Sequence, residues 1–205
     1  MWRTNDGNSR YYNYKITNEN WQDTFYGEFY PQDYLTDNIK LWSLEFLRNY
    51  ETFRKRYYKR ELKEVAPFLM VISVPAAHNP FRPAPQYQNL SAKLPPAPRT
   101  PNFGRCGKDS GDKHIPVREA PCLDESRINH IDICYRERLG TLMSVDDLIY
   151  DVHQFIDKEM GLIDDTYFFF TSDNGYHLGQ NSLMYEKRQP YETDIRVPFY
   201  VKGPG

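Results

Sequence analysis

Phe168-Phe169-Phe170-Thr171-Ser172-Asp173-Asn174-Gly175-Tyr176-His177-Leu178-Gly179-Gln180 is the stretch on which the reading of this chain turns. An apolar aromatic run stops at an acid, an amide and a glycine, and a histidine follows two residues later. Tyr167 to Thr171 predicts a buried strand, since it is aromatic, β-rich and too short to argue for a helix. Gly175 is expected to permit the sharp turn after it. Asp173 and Asn174 would then stand at the carboxyl end of a strand, where open α/β sheets bind their ligands. Their side chains are hard oxygen donors suited to Ca²⁺ or Mg²⁺. Taken bare, Asp-Asn-Gly reads more readily as a polar turn.

Working outward, Asp164-Asp165 leads into this strand, and before it Arg136 to Met160 predicts a helix. Leu139, Leu142, Val145, Ile149, Val152 and Ile156 form its apolar stripe, and Gly161 is a natural stop. Further upstream, Pro67 opens a near-continuously apolar run, Phe68 to Val74, as expected for a central strand covered on both sides. It ends in Pro75-Ala76-Ala77-His78-Asn79-Pro80, which sets a second histidine in a loop stiffened by prolines. Residues 81–127 are rich in Pro, Arg, Asn and Gly and predict a long loop. Leu35, Ile39, Trp42 and Phe46 predict an amphipathic helix from an Asp33 cap to about Tyr50. The basic run Arg54, Lys55, Arg56, Lys59, Arg60 and Lys63 follows; such a run is either a solvated face or a hold for an anionic polymer. Residues 1–30 read as an irregular segment, loop or short hairpin, and 31–205 as the folded domain. Strand, long crossover, helix and strand is the α/β pattern.

The bulk properties narrow the class. The 205 residues suffice for one domain with a core. A net charge of -2 offers no sign of nucleic-acid binding. No apolar stretch is long enough to span a bilayer, and the first residues lack the pattern of a signal peptide. None of Cys106, Cys122 and Cys134 lies in a CxxC pair, which argues against zinc. Cys106 and Cys122 flank a polar loop and could form a disulfide, leaving Cys134 free; three separate thiols are an equal alternative. Asn89-Leu90-Ser91 is an N-glycosylation sequon.

Several segments together resemble the sulfatases, nearest the N-acetylglucosamine-6-sulfatase branch. They are Ala76-Ala77-His78-Asn79-Pro80, Leu142 to Asp147, Ser172 to Gln180, Glu186-Lys187-Arg188-Gln189-Pro190-Tyr191-Glu192 and Asp194-Ile195-Arg196-Val197-Pro198. Their order and spacing fit over roughly residues 25–205. The resemblance implies an alkaline-phosphatase-like α/β fold, a central mixed sheet flanked by helices, with only the later part of the catalytic domain present. It implies removal of the 6-O-sulfate of N-acetylglucosamine in heparan or keratan sulfate, in the lysosome or outside the cell. Residue by residue, it implies that Asp173 and Asn174 are Ca²⁺ ligands. It implies that His78 and Lys187 hold the sulfate and assist departure of the sugar oxygen, and that His177 is a substrate-pocket residue.

One departure carries weight. Sulfatases take their nucleophile, a formylglycine, from a Cys/Ser-x-Pro-x-Arg segment, and no Cys or Ser of this chain is followed by that pattern. The paired aspartates that complete the family's Ca²⁺ site are also missing from the early residues. The expectation is therefore a partial sulfatase, inactive by itself. The alternative is a non-catalytic pseudoenzyme that binds sulfated glycans.

Overall fold

The computed structural model describes residues 3–5, 10–58 and 66–205. In chain order the elements are β1 (Arg3–Asn5), β2 (Lys15–Asn18), β3 (Asp23–Phe25), α1 (Leu35–Tyr58) and α2 (Pro85–Ser91). Then come α3 (Ile115–Arg118), α4 (Glu125–Gln154), β4 (Phe168–Thr171), β5 (His177–Leu178), β6 (Tyr185–Glu186), α5 (Glu192–Ile195) and β7 (Phe199–Lys202). The chain divides into two compact units, Met1–Leu90 with Arg138–Asp164, and Ser91–Glu137 with Asp165–Gly205.

In the first unit, the segment expected to be irregular forms an antiparallel three-stranded sheet in the order β1-β2-β3. The determinant is a short alternation: Tyr14 and Ile16 point inward while Lys15 and Thr17 do not. Tyr14, Ile16 and Leu35 are buried together, with Tyr26, Ile39 and Trp42 packed against them. Tyr26 stacks on Tyr14 at 4.7 Å. Asn38 Nδ2 donates to the Tyr14 hydroxyl at 2.7 Å. Burial raises the Tyr14 pKa far above the usual phenol range, so that hydroxyl stays neutral.

Helix α1 outlasts its expected end near Tyr50, because Glu51 anchors the extra turns. The Glu51 carboxylate is 6% exposed and accepts from Arg54 Nε at 2.6 Å, Arg54 Nη2 at 3.0 Å and Lys55 Nζ at 3.1 Å. Arg54 also donates to the Met160 carbonyl at 2.8 Å. Part of the basic run is therefore structural, while Lys59, Arg60 and Lys63 lie outside the described residues. Asp33 is not the expected cap. Its carboxylate accepts the Phe29 N–H at 2.8 Å and closes the turn before the helix.

Two further expectations need correction. Phe68–Val74 joins no ladder among the described residues. Leu69 and Val71 are 87% and 81% exposed, so this is not a strand covered on both sides. Phe68 makes ring contacts with Phe46 at 6.1 Å and with Tyr50 at 4.9 Å. Helix α4 starts eleven residues before Arg136, because Asp124 caps it: Asp124 Oδ1 accepts the Arg127 N–H at 2.8 Å. Its buried stripe is rotated from the expected one. Thr141, Ser144, Val145, Leu148 and Val152 face inward, whereas Leu142 and Ile149 are exposed. Small polar side chains share the buried face, and a purely apolar template misses them. A π-helical turn, Phe155–Glu159, carries the chain on to Met160 and Gly161.

In the second unit, residues 91–124 are less irregular than expected. A 3₁₀ turn (Gly107–Ser110) and α3 interrupt them. Cys106 and Cys122 form a disulfide with Cα atoms 5.3 Å apart, and Cys134 is free and buried. Closing a loop of this length is worth about 3 kcal/mol through the unfolded chain. Arg99 makes a bidentate pair with Asp132, Nη1 at 2.9 Å and Nη2 at 2.7 Å, and the Ala97 N–H reaches the same carboxylate at 3.0 Å. The Arg99 guanidinium holds the Asp132 carboxyl below the usual carboxylate range. Strand β4 is where the sequence predicts it, paired antiparallel with β7. It is not buried, because the ribbon has two strands only. Phe169, Phe170, Phe199 and Tyr200 stand exposed among the described residues.

Candidate functional site

The site is built from the chain that leaves β4. Ser172 Oγ donates to the Asn174 carbonyl at 2.9 Å, which folds the backbone back after Asp173. Asn174 Nδ2 donates to the Gly175 carbonyl at 2.8 Å. That bond uses one of the two amide N–H groups, and the side-chain oxygen accepts no bond among the described contacts. Asp173 is exposed, and Ser172 Oγ approaches its Oδ1 at 3.3 Å. Two adjacent hard oxygen donors at a strand end suit a divalent cation in part, since Ca²⁺ takes six to eight oxygens. Among the described residues no cluster of three or more His, Cys, Asp or Glu side chains converges.

Gly175 has a reason other than the expected turn. It is not among the glycines with positive φ. A Cβ here would overlap the Thr193 carbonyl and come 2.8 Å from the Arg196 carbonyl oxygen. The Gly175 N–H donates to the Asp194 carbonyl at 2.8 Å. Close approach of the α5 backbone, not conformational freedom, demands glycine. At Gly179 both reasons hold: φ is 89° and a Cβ would overlap the Phe103 ring.

His177 opens β5 and is 4% exposed. Its Nδ1 lies 2.8 Å from Asp194 Oδ1, so the ring donates its Nδ1 proton to the carboxylate. Asp194, 3% exposed, also accepts from Thr193 Oγ1 at 3.0 Å and, through Oδ2, from the Gln189 N–H at 2.9 Å. Strand β5 pairs with β6 so that His177 stands opposite Glu186. Lys187 is the next residue after Glu186 in the chain. Lys187 is half-buried and has no ion-pair partner among the described residues. Asp173, Asn174, His177 and Lys187 all fall in the second unit. Asp194 was legible in the sequence as an acid in the Asp194-to-Pro198 segment, but nothing in its spacing pointed to a buried hub.

His78 belongs to the other unit. Its loop is held by backbone carbonyls: Tyr11 Oη donates to the His78 carbonyl at 3.0 Å, and Arg138 Nη1 to the Ala77 carbonyl at 2.7 Å. The His78 N–H reaches the Pro75 carbonyl at 2.8 Å. Burial pushes the Tyr11 hydroxyl up to about 12, which keeps it a donor across the physiological range. The His78 Nδ1 lies 2.7 Å from the Asn79 carbonyl, so Nδ1 carries a proton and Nε2 is left available.

A family model described as Sulfatase matches residues 1–205. The chain is 43% identical to the N-acetylglucosamine-6-sulfatase of Capra hircus and 42% identical to that of Homo sapiens, each over 205 residues, all of this chain and 34% of the relative. It is 37% identical to an extracellular sulfatase homologue of Drosophila melanogaster over 198 residues, 97% of this chain and 16% of the relative. It therefore spans about a third of the length of the N-acetylglucosamine-6-sulfatases it matches. One solved structure, of a protein in complex with its substrate D-glucosamine-2-N,6-O-disulfate, superposes with a TM-score of 0.66 at 17% identity, covering 95% of this chain and 47% of the other. A second, from work on glycosaminoglycan metabolism in Bacteroides thetaiotaomicron, gives 0.64 at 17% identity, covering 98% and 35%.

Proposed function

The chain belongs to the sulfatase family, and from that premise we propose that it forms part of a sulfuric ester hydrolase acting on the 6-O-sulfate of N-acetylglucosamine in glycosaminoglycans. The observation that carries the reading is one juxtaposition. Asp194 accepts the Gly175 N–H, directly after Asp173–Asn174, and the Gln189 N–H, two residues beyond Lys187, so the Asp173–Asn174 turn and the segment of Lys187, a cation without an ion-pair partner among the described residues, converge on one residue. Sulfate esters need their charge neutralised in this way, by a fixed cation beside a bound metal.

In this reading, Asp173 and the side-chain oxygen of Asn174 hold part of a Ca²⁺ site. When bound, the ion draws charge from the sulfate oxygens. The Lys187 ammonium holds a further sulfate oxygen. His78 acts as general acid in its doubly protonated form: Nδ1–H stays on the Asn79 carbonyl while the Nε2 proton passes to the sugar oxygen as the S–O bond breaks, leaving the neutral Nδ1–H imidazole. His177 keeps its Nδ1 on Asp194 and lines the pocket. The nucleophile is expected from sequence that these 205 residues do not contain, so the chain alone is expected to release no sulfate. The Cys106–Cys122 disulfide and the exposed Asn89 sequon on α2 favour a secretory route, ending in the lysosome or outside the cell. No helix among the described residues is long and apolar enough to cross a membrane.

The test is sulfate release by the complete protein from oligosaccharides ending in N-acetylglucosamine 6-sulfate, against matched oligosaccharides ending in N-acetylgalactosamine 4-sulfate. The first is expected to be preferred by roughly 100-fold or more in kcat/KM. Binding of both without release would favour the non-catalytic glycan binder instead.

A further inference from the structure

We infer that Asp194 is a positioning residue that fastens the metal-donor turn and the Lys187 loop to each other. The inference rests on the sulfatase reading for its functional meaning, but its geometry stands by itself. Three segments meet at this one residue. The Gly175 N–H, directly after Asp173–Asn174, donates to its backbone carbonyl at 2.8 Å. The His177 ring donates to Oδ1 at 2.8 Å. The Gln189 N–H, two residues beyond Lys187, donates to Oδ2 at 2.9 Å. Thr193 Oγ1 adds a third donor to the carboxylate at 3.0 Å.

An anion buried to this depth is ordinarily held by a cation, and no Lys or Arg lies within ion-pair distance of Asp194 among the described residues. Directed hydrogen bonds hold it instead. Charge-assisted bonds of this kind are short and geometrically demanding, so they fix the donors as much as the acceptor. The close contact between Gly175 and the α5 backbone works in the same direction, since no side chain separates the two segments. Asp194 touches neither Asp173 nor Lys187. It acts through His177, Gln189 and Gly175, in the way that outer hydrogen-bond partners orient the groups that do the chemistry.

Asp194→Asn in the complete protein is the variant of choice, because it keeps shape and removes one acceptor. Its amide nitrogen must face either the fixed Gln189 N–H or His177 and Thr193 together, and only the His177 ring proton and the Thr193 hydroxyl are able to yield. The primary readout is the ¹⁵N spectrum of histidine-labelled protein, with the His177 signals identified by their loss in His177→Gln. The wild type is expected to carry the His177 proton on Nδ1, and Asp194→Asn to shift it to Nε2. The second readout is kinetic: kcat falls roughly 10- to 100-fold while KM stays nearly constant. A wild-type His177 protonated on Nε2 alone would overturn the inference whether or not the variant folds, and so would unchanged kcat in a folded Asp194→Asn with shifted tautomer. A wild-type protein that releases no sulfate but shows the tautomer shift overturns the sulfatase reading while upholding the hydrogen-bonded clamp.

Discussion

Asp173→Ala in the complete protein is expected to lose Ca²⁺ binding and sulfate release together, with activity down by about 1,000-fold or more. The size follows from what this residue supplies. The chain offers two oxygen donors at the end of β4, and Asp173 is the charged one. It is exposed and bonded only to Ser172 among the contacts described above, so little of its carboxylate is committed to structure. Its removal should leave the fold intact, which separates a metal effect from a stability effect. Asp173→Asn keeps an oxygen but drops the charge, and should fall between the two. Calorimetric titration with Ca²⁺ alongside a sulfate-release assay makes the comparison. Activity retained in Asp173→Ala would remove the residue from the metal site.

Gly175→Ala is expected to cost about 3 kcal/mol of stability. The new carbon has no flexible side chain to displace. It meets the Thr193 carbonyl and, at 2.8 Å, the Arg196 carbonyl oxygen, both backbone. Relief requires α5 to retreat, which breaks the bond from the Gly175 N–H to Asp194 and moves Asn174 with it. Gly111→Ala serves as the control, since its Cβ would meet only the Lys108 carbonyl at an ordinary 3.6 Å, and its φ is −62°. The expected result is a clear fall in the melting temperature for Gly175→Ala and almost none for Gly111→Ala. Equal melting temperatures would mean that the approach of α5 is not as close as described.

The elements with strong local signals were readable from the sequence. Strand β4 and the start of helix α1 lie where period and residue type put them. What the sequence could not show was mainly which surface is covered. Phe68–Val74 and β4 carry the apolar runs of buried strands, yet burial depends on neighbours distant in the chain, and both are largely exposed among the described residues. The start of α4 was missed because hydrophobic spacing begins late, although Asp124 is a good cap. The three-stranded sheet at the start was hidden because its inward residues, Tyr14 and Ile16, are too few to make a period.

The site followed the same division. Asp173, Asn174, His177 and Lys187 were named through the family resemblance, and all four fall in the second unit. Asp194 was not, since a buried acid and a surface acid look alike in one sequence. Gly175 was rightly picked out but for the wrong reason: turn chemistry is local and legible, whereas the approach of a backbone eighteen to twenty-one residues later is not.

The most direct test of the sulfate-holding assignment is to measure sulfate release from N-acetylglucosamine 6-sulfate by the complete protein and by its Lys187→Ala variant, prepared identically. The account predicts release by the first and a loss of roughly 100-fold in kcat/KM in the second, with the melting temperature unchanged. Equal rates in the two proteins, or no release by either, would contradict it.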